Sequence, residues 1–526
     1  MDIKPLTPRL SVAAQLLPQD VQRIAQAGFR TIICNRPDGE SADQPVAADI
    51  RAAADAAGLA FVHIPAVAGA LTDADTAAMR SALDSCPAPA LAYCRSGARA
   101  EALARMAGAV DADAARYDIV IVGGGSAGMA TAASILKRRR GIRLAIVEPS
   151  DVHYYQPGWT MVGAGVFNSS VTRRKQAGLI PKGARWIKAS AVQFCPDDKQ
   201  VILSDGRHIS YAVLIVCPGL KLDWDAIPGL AETLGRNGVT SNYRYDLAPY
   251  THRLAREFQG GRALFTQPVM PIKCAGAPQK AMYLSCHRWE KSGILARSNV
   301  QFHSAGAALF GVPDYIPALM EYVDRYGIHL NFGSKLVAVD GAARTAIFQQ
   351  SDSEGTRQIA ERFDMIHVVP PQIAPDFIRS SPLAAASGFV EVDEATLRHP
   401  RHPEIFALGD ACATSNAKTA AAARKQAPVV AVNALAALDG RPPVAAYDGY
   451  GSCPLTVEAG RIVLAEFGYG GKLLPSFPRW LIDGTRPSRL SWLLKDSILP
   501  PVYWHGMLKG REWMVRPQPI GTSLQS

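Results

Sequence analysis

Three places in this 526-residue chain combine residue types that can do chemistry. Cys274 follows Lys273 in the run Pro-Val-Met-Pro-Ile-Lys-Cys-Ala-Gly-Ala-Pro-Gln-Lys, residues 268–280, just ahead of a helix-like stretch. A neighbouring cation and a helix start both favour a thiolate, so Cys274 is a candidate reactive cysteine. Cys94 opens Cys94-Arg95-Ser96-Gly97-Ala98-Arg99, between a strand-like run and a helix-like one. Consecutive loop N–H groups there form an anion nest, which also lowers a thiol's pKa. Arg99 is placed to neutralise an oxyanion. The third place is Tyr117–Gly128, where Gly123, Gly125 and Gly128 fit the G-x-G-x-x-G spacing around Ser126 and Ala127. The first glycine permits the turn, the second lets backbone approach a pyrophosphate, and the third lets helix pack on strand. Glu148, twenty residues past Gly128, ends the next apolar run and can accept ribose hydroxyls.

These residues need strands that end where they sit. Tyr117–Val122 and Arg143–Val147 read as buried strands, with a helix from Met129. Ala90–Tyr93 reads as a strand running into Cys94, within an α/β pattern that also has strands at Phe29–Cys34 and Ala60–Pro65. Helices are expected at Pro18–Ala27, Ala47–Ala57 and after Thr72, where Asp75 completes a capping box. Gln156 lies in the aromatic and glycine-dense loop to Gly165. Trp186–Val192 can bring backbone at Ala191 or Val192 to an adenine. Val213–Val216 ends at Cys217-Pro218-Gly219, a second place of close backbone approach. A second nucleotide-binding unit starts at Arg262–Thr266, yet carries no second G-x-G-x-x-G, and its prolines remove N–H groups that a pyrophosphate needs. Pro403–Leu408 ends at Gly409-Asp410. A carboxylate there, with a helix from Lys418 onward, suits a flavin's ribityl chain and ring, and Lys418 can assist.

A hydrophobic share of 48% and a charged share of 19% exclude a disordered chain, and the length calls for several domains. The net charge of +10 has no aromatic-interleaved basic module, so nucleic acid is not the expected partner, and an anionic membrane surface is. Nine cysteines without a C-x-x-C pair indicate no metal site and no secreted disulfide scaffold. The N-terminus has no apolar signal-like run and no stretch is long enough to span a bilayer. The expected location is the cytoplasm, with peripheral attachment to the inner membrane. Residues 477–513 mix Trp480, Leu490, Trp492, Tyr503 and Trp504 with Arg486, Lys495 and Arg511. Split by Pro500-Pro501, they read as two amphipathic helices that dock on a membrane.

Two resemblances emerge. Asn35–Gly39, Val62–Pro65 and the Cys94 loop are similar to the tyrosine-phosphatase-like domain found with sulfur-metabolising enzymes. That family has five residues between cysteine and arginine; here four separate Cys94 from Arg99. The C-R-x-G-x-R form resembles a rhodanese loop, which favours sulfane-sulfur transfer over phosphate hydrolysis, with Asp38 the acid in the phosphatase case. Residues 116–513 resemble mitochondrial-type sulfide:quinone oxidoreductases through Gly123–Gly128, Glu148, His153–Gly165, Lys273–Lys280, Gly409-Asp410, Lys418–Ala420 and Tyr447–Pro454. That resemblance implies FAD and a redox pair of Cys274 and Cys453, with Cys412 the rival. It implies that sulfide attacks their disulfide, leaving a persulfide on Cys453, while two electrons pass to FAD and on to quinone. A small thiol such as glutathione then accepts the sulfur, with Cys94 as the intermediate carrier.

The implied fold is α/β: a phosphatase-like or rhodanese-like domain over 1–110, a linker at 111–116, and two Rossmann-like domains of the flavin disulfide-reductase type. These are an FAD-binding domain over 117–225 and 390–470 and a second domain over 226–389, before a C-terminal amphipathic segment over 471–526. A homo-oligomer is left open. The competing readings are an NADH:quinone reductase, a protein tyrosine or dual-specificity phosphatase in the N-terminal domain, and a sulfur-binding scaffold.

Overall fold

The computed structural model describes residues 2–7, 9–107, 116–352 and 355–520. Most of the expected linker, 111–115, lies outside the described residues. The chain divides into two compact units: an N-terminal one ending at Tyr117 that also takes in Ala189–Tyr211, and a larger one of Asp118–Lys188 and Ala212 onward.

The N-terminal unit is built on a five-stranded sheet, ordered Ile3–Thr7, Leu10–Ala13, Ala90–Tyr93, Thr31–Cys34, Ala60–His63. All neighbours are parallel except the first pair. Alternation along the strands sends Val12, Ile33 and Ala92 into one apolar cluster and Ala13, Ile32 and Leu91 into another. Helices cover both faces, as a buried parallel sheet requires. The capping box is present: Thr72 Oγ1 accepts the Asp75 N–H, and Asp75 accepts the Thr72 N–H, at the start of helix Asp73–Ser85. The first two strands were not expected. Pro5 sits on the sheet's edge strand, where a missing N–H costs no ladder bond.

The larger unit holds two parallel sheets. In one, Ala184–Ile187, Leu144–Val147 and Arg116–Val122 run in order, and Leu214–Val216 pairs in parallel with Ile405–Ala407. Helices Ser126–Arg138 and Ala420–Leu438 pack together over its apolar core. The first of these starts at Ser126, three residues before the expected Met129. The second sheet, of five parallel strands, contains Gly261–Gln267 and is backed by helix Ala277–Lys291. Hairpin Gly451–Glu458/Arg461–Phe467 sends Cys453, Leu455, Val457 and Val463 into the core beside that helix.

The C-terminal segment corrects the expectation of two surface helices. Arg489–Lys509 is one helical run that passes through Pro500-Pro501 and widens to π turns at Leu494–Ile498 and Val502–Gly506. Proline removes a helical N–H, and widened turns accommodate that loss. Tyr503, Trp504, Met507 and Leu508 are buried in the core of the first sheet's domain. Glu512 accepts two bonds from the Arg138 guanidinium and one from Ser134, which straps the segment's end to helix Ser126–Arg138. Gln518–Pro519 pairs antiparallel with Ala445–Ala446. No described helix is long and apolar enough to cross a membrane.

Candidate active site

A cavity of about 920 Å³ lies inside the larger unit. Gly125, Ser126, Ala127, Gly219, Asp410 and Lys418 line its polar part, Gln156, Lys273 and Cys274 line it near the reactive loop, and Leu464, Leu473, Leu474 and Phe477 line an apolar part. Its size falls within the range of cofactor and ligand sites, about 300–1,000 Å³.

The glycine turn is built for close approach. A Cβ on Gly123 would fall 2.5 Å from the Cys217 carbonyl oxygen, and one on Gly128 would fall 1.9 Å from that of Gly123. Gly125 has nothing within 4 Å of its Cβ position, so its backbone is open to a ligand. Glu148 spans the turn, accepting the N–H of Gly124 and that of Ser150, each at 2.8 Å. Gly219 is likewise open on its Cβ side. The N-terminus of helix Ala420–Leu438 also faces the cavity, capped by Thr419. The Lys418 ammonium donates to the carbonyls of Asp410 and Cys412 at 3.0 and 2.7 Å. Trp159 Nε1, Thr160 Oγ1 and both amide atoms of Asn242, on residues that line the cavity, are buried without a hydrogen-bond partner among the described residues. An open glycine cradle, two helix N-termini and orphaned polar atoms fit a large dinucleotide such as FAD.

Also on the cavity's lining, Cys274 adopts a left-handed backbone with φ +50°, a strained choice for a side chain with a Cβ. Its N–H donates to the Lys418 carbonyl at 2.8 Å, and Tyr243 Oη donates to the carbonyls of Lys273 and Cys274. The conformation is therefore held from both sides. Lys280 Nζ lies 3.3 Å from Cys274 Sγ. Lys280 is one helical turn into Ala277–Lys291 and 1% exposed. A hydrogen bond from Cys453 and the charges of Lys280 and Lys495 hold the Cys274 thiol well below the ordinary value, against the effect of burial. The shared hydrogen bond and burial push Cys453 up. Both shifts favour negative charge on Cys274, beside the ammonium, over Cys453. Lys495 is buried too, and burial with the nearby Lys280 charge brings it down to about 8.

Of the residues singled out in the sequence, Gly125, Ser126, Ala127, Gln156, Gly219, Asp410, Lys418 and Cys274 line the cavity; Gly123, Gly128 and Glu148 shape the turn without lining it. Cys453 is buried at 3% exposure against Cys274, between the lining residues Ser452 and Pro454. Cys412 is held elsewhere, donating to the Gly409 carbonyl at 3.1 Å. Ala191 begins strand Ala191–Cys195 in the N-terminal unit and does not line the cavity. Sequence reasoning gave no place in this cavity to Lys280, Lys495, Tyr503 or Glu466, all of which line it. Lys280 alone left a trace, as a lysine six residues after Cys274 on a helix, the reach of a long side chain back to the helix start.

In the N-terminal unit Cys94 Sγ accepts the Gly97 N–H at 3.1 Å, as a nest requires. Arg99 is engaged elsewhere, by Glu40 at 2.8 Å and by the carbonyls of Ala66 and Asn35. Asp38 accepts the Ala47 N–H at 2.7 Å, at the start of helix Ala47–Ala56.

Residues 2–111 match the phosphatase-like domain of the beta-lactamase hydrolase-like protein family, and residues 117–255 match the pyridine nucleotide-disulphide oxidoreductase family. The chain is 41% identical over 396 residues to a mitochondrial sulfide:quinone oxidoreductase of Dictyostelium discoideum, covering 75% of this chain and 86% of the relative. It is 37% identical over 395 residues to the Mus musculus protein of the same description, covering 75% and 87%. The solved sulfide:quinone oxidoreductase of Aquifex aeolicus superposes with a TM-score of 0.63 at 17% identity, covering 77% of this chain and 97% of that one, and shares its fold.

Proposed function

The chain belongs to the mitochondrial-type sulfide:quinone oxidoreductase family, and on that premise we propose that its FAD-dependent oxidation of sulfide runs through Cys274 and Cys453. The observation that carries this is the 3.3 Å approach of Lys280 Nζ to Cys274 Sγ, on the wall of the cavity that also holds the glycine cradle.

In the oxidised protein a Cys274–Cys453 disulfide receives hydrosulfide at the Cys453 sulfur. An S–S bond forms on Cys453, the disulfide breaks, and Cys274 leaves as a thiolate beside Lys280. A better-stabilised leaving thiolate leaves faster, which sets the direction of attack. An acceptor thiolate then takes the outer sulfur, and the two cysteine sulfurs rejoin, releasing two electrons. FAD, when bound, supplies the two-electron acceptor and hands the pair to quinone. The sum is sulfide, thiol and quinone giving a persulfide and quinol. Gly125, Ser126 and the two helix N-termini would hold the dinucleotide, with Glu148 toward its ribose and Asp410 with Lys418 toward its flavin end. The apolar part of the cavity, at Leu473, Leu474 and Phe477, takes the quinone ring.

Anaerobic sulfide titration of the parent, Cys274→Ser and Cys453→Ser, followed at the flavin band, tests this. Bleaching in the parent and none in either FAD-loaded variant is expected. Bleaching that survives both substitutions overturns the assignment. NADH added anaerobically should leave the band unchanged; prompt reduction would favour a nicotinamide-dependent reductase.

For the N-terminal unit the proposal is sulfur transfer: Cys94 takes the persulfide sulfur and passes it to a small thiol such as glutathione. The sulfur held on Cys94 would sit in the nest that Gly97 begins. Cys94→Ala releasing sulfane sulfur to every acceptor at the parental rate would sink this, and aryl phosphate turnover dependent on Cys94 would support the phosphatase reading instead. Peripheral membrane attachment is supported by the exposed apolar side chains Trp480, Leu481, Leu490, Leu493 and Ile498, among which Trp480 is 85% exposed. Loss of co-sedimentation with anionic vesicles in Trp480→Ser/Leu481→Ser is the check. Full retention of vesicle binding would remove the proposal.

A further inference from the structure

Turning a quinone into a quinol takes two protons as well as two electrons. A cavity that does this away from bulk water needs a proton source at the quinone end.

Three carboxylates line the cavity: Asp410, Asp448 and Glu466. Asp410 belongs to the glycine-cradle end, beside the Lys418 ammonium. Asp448 is ion-paired with Lys425 at 2.5 Å, and Lys425 in turn lies 4.8 Å from the centre of the Tyr450 ring. Glu466 is different. It is 5% exposed, and among the described residues no cation lies within ion-pair distance of it. Its partners are groups that carry exchangeable protons. Oε1 is bonded to the Tyr450 hydroxyl at 2.6 Å and to the Ser476 hydroxyl at 2.5 Å, Oε2 accepts the Ser476 N–H at 3.1 Å, and the two hydroxyls lie 3.1 Å apart.

The setting is rigid and sits at the apolar end. The Tyr315 hydroxyl bonds both the N–H and the carbonyl of Glu466, each at 3.0 Å, which fixes the strand at that residue. Glu466 faces Ser452 across the hairpin, one residue from Cys453. Tyr450, Ser452, Glu466 and Ser476 all line the cavity beside Leu464, Leu473, Leu474 and Phe477. A carboxyl in an apolar wall, bonded only to hydroxyls and an N–H, can exchange a proton without breaking an ion pair. Either hydroxyl can reverse its bond as the carboxyl changes state.

Given the proposed reduction of quinone in this cavity, on which the role depends, we propose that Glu466, working through the hydroxyls of Tyr450 and Ser476, is the proton donor to the quinone. The bound flavin would supply the electron pair, and one proton comes from solvent, matching one of the two released when hydrogen sulfide and the acceptor thiol ionise. The second leaves Glu466 Oε1 through the Tyr450 hydroxyl: the Glu466 O–H bond breaks, the Tyr450 O–H is exchanged, and an O–H bond forms on the quinone oxygen. The Glu466 carboxylate is then reprotonated by water entering past Leu473, which is 37% exposed at the cavity's edge. Charge and atoms balance with one proton from solvent per turnover on this arm.

The test separates proton delivery from electron delivery. Sulfide-reduced parent, Glu466→Gln, Glu466→Asp and Tyr450→Phe proteins, all with bound FAD, are mixed in stopped flow with a short-chain soluble quinone, or with ferricyanide, which takes electrons and no protons. Quinone reoxidation of Glu466→Gln should fall by about 10²-fold, the usual worth of a positioned proton donor. Tyr450→Phe should fall less, Glu466→Asp should recover part of the rate, and the solvent deuterium effect on the quinone step should rise in all three. Ferricyanide reoxidation should stay at the parental rate. Equal losses with both oxidants would mark a structural role and overturn the proposal, as would a parental quinone rate in Glu466→Gln. A parent that sulfide reduces but quinone does not reoxidise would instead remove the reading of the cavity on which this rests.

Discussion

The hydroxyl of Tyr503 lies 2.8 Å from that of Ser126, although 377 residues separate them in the chain. Ser126 is the first residue of the helix after the glycine turn, where a pyrophosphate would sit. The same Tyr503 hydroxyl is 2.6 Å from His153 Nε2, whose other ring nitrogen meets Gln176, and Gln176 donates to the Gly124 carbonyl. A buried polar chain therefore runs from the C-terminal helical segment into both sides of the glycine turn. The segment acts as part of the cofactor cradle, whatever its exposed face contacts.

Tyr503→Phe should weaken FAD binding while leaving the ring packed in place. Removing the hydroxyl costs about 1–2 kcal/mol for an unpaired buried partner, which corresponds to roughly tenfold in affinity. Fluorescence titration of the apoprotein with FAD reads this directly. An unchanged dissociation constant would mean that the tail covers the turn without organising it.

The same polar chain sets a pH limit. Burial lowers His153 to about 4 from 6.5. A depressed pKa means that the unfolded or undocked state binds the proton first, so the stability present above pH 6.5 is lost as pH falls through 4. The contribution at stake is about 3 kcal/mol. Hydrogen exchange in 499–509 should accelerate between these limits, together with FAD release. Exchange in that segment that stays flat to pH 4 would detach the histidine from tail docking.

How far the sequence revealed this site depends on the range of each interaction. The glycine spacing, Glu148 and the Gly409-Asp410 turn are local devices, so short motifs disclosed them. The Cys274 loop was legible because its lysine and helix start are neighbours in sequence. Lys280 was only half visible, since it also fits an ordinary helix position. Tyr503 and Lys495 were misread because an aromatic and basic helix with exposed leucines has the same composition whether it lies on a lipid surface or across a protein core. Here both occur: Leu490, Leu493 and Ile498 are exposed, while Lys495, Tyr503 and Trp504 are buried. Glu466 gave no signal, because its hydroxyl partners come from two other segments. In the N-terminal unit, Arg99 looked free to meet an anion, and only the fold brings Glu40 to it.

Glu40 joins buried Arg36 and partly buried Arg99, taking Arg36 Nε at 2.9 Å and Arg99 Nη2 at 2.8 Å. Glu40→Gln would leave two guanidiniums facing each other with one neutral acceptor between them. Breaking such an arrangement costs about 3 kcal/mol when the charges are buried, and less here because Glu40 itself is partly open to solvent. Hydrogen exchange in Thr31–Cys34 and Ala90–Tyr93 of the full chain should rise accordingly. Arg99 would keep its bonds to the Ala66 and Asn35 carbonyls, so unchanged exchange in both strands would show that those bonds, not Glu40, hold it.

Lys280 offers the sharpest separation of electrostatics from packing at the thiol pair. Its ammonium is the nearest cation to Cys274 Sγ, and the sulfurs in return raise the lysine despite its burial. Lys280→Met keeps the volume and removes the charge. The Cys274 thiol must then rise, because the main cationic support for its charged form is gone while burial still opposes that form. At neutral pH the thiolate fraction falls, and with it both its quality as a leaving group and its capacity to return electrons. Alkylation of the Cys274 peptide, followed by mass spectrometry across pH, should shift upward by about one unit or more. Sulfide-driven flavin reduction should slow by about tenfold or more. Lys280→Arg should recover part of the thiol shift, since it restores charge with a different donor geometry. A Lys280→Met protein whose alkylation profile coincides with the parent's would show that Cys453, not the lysine, holds the thiolate in place.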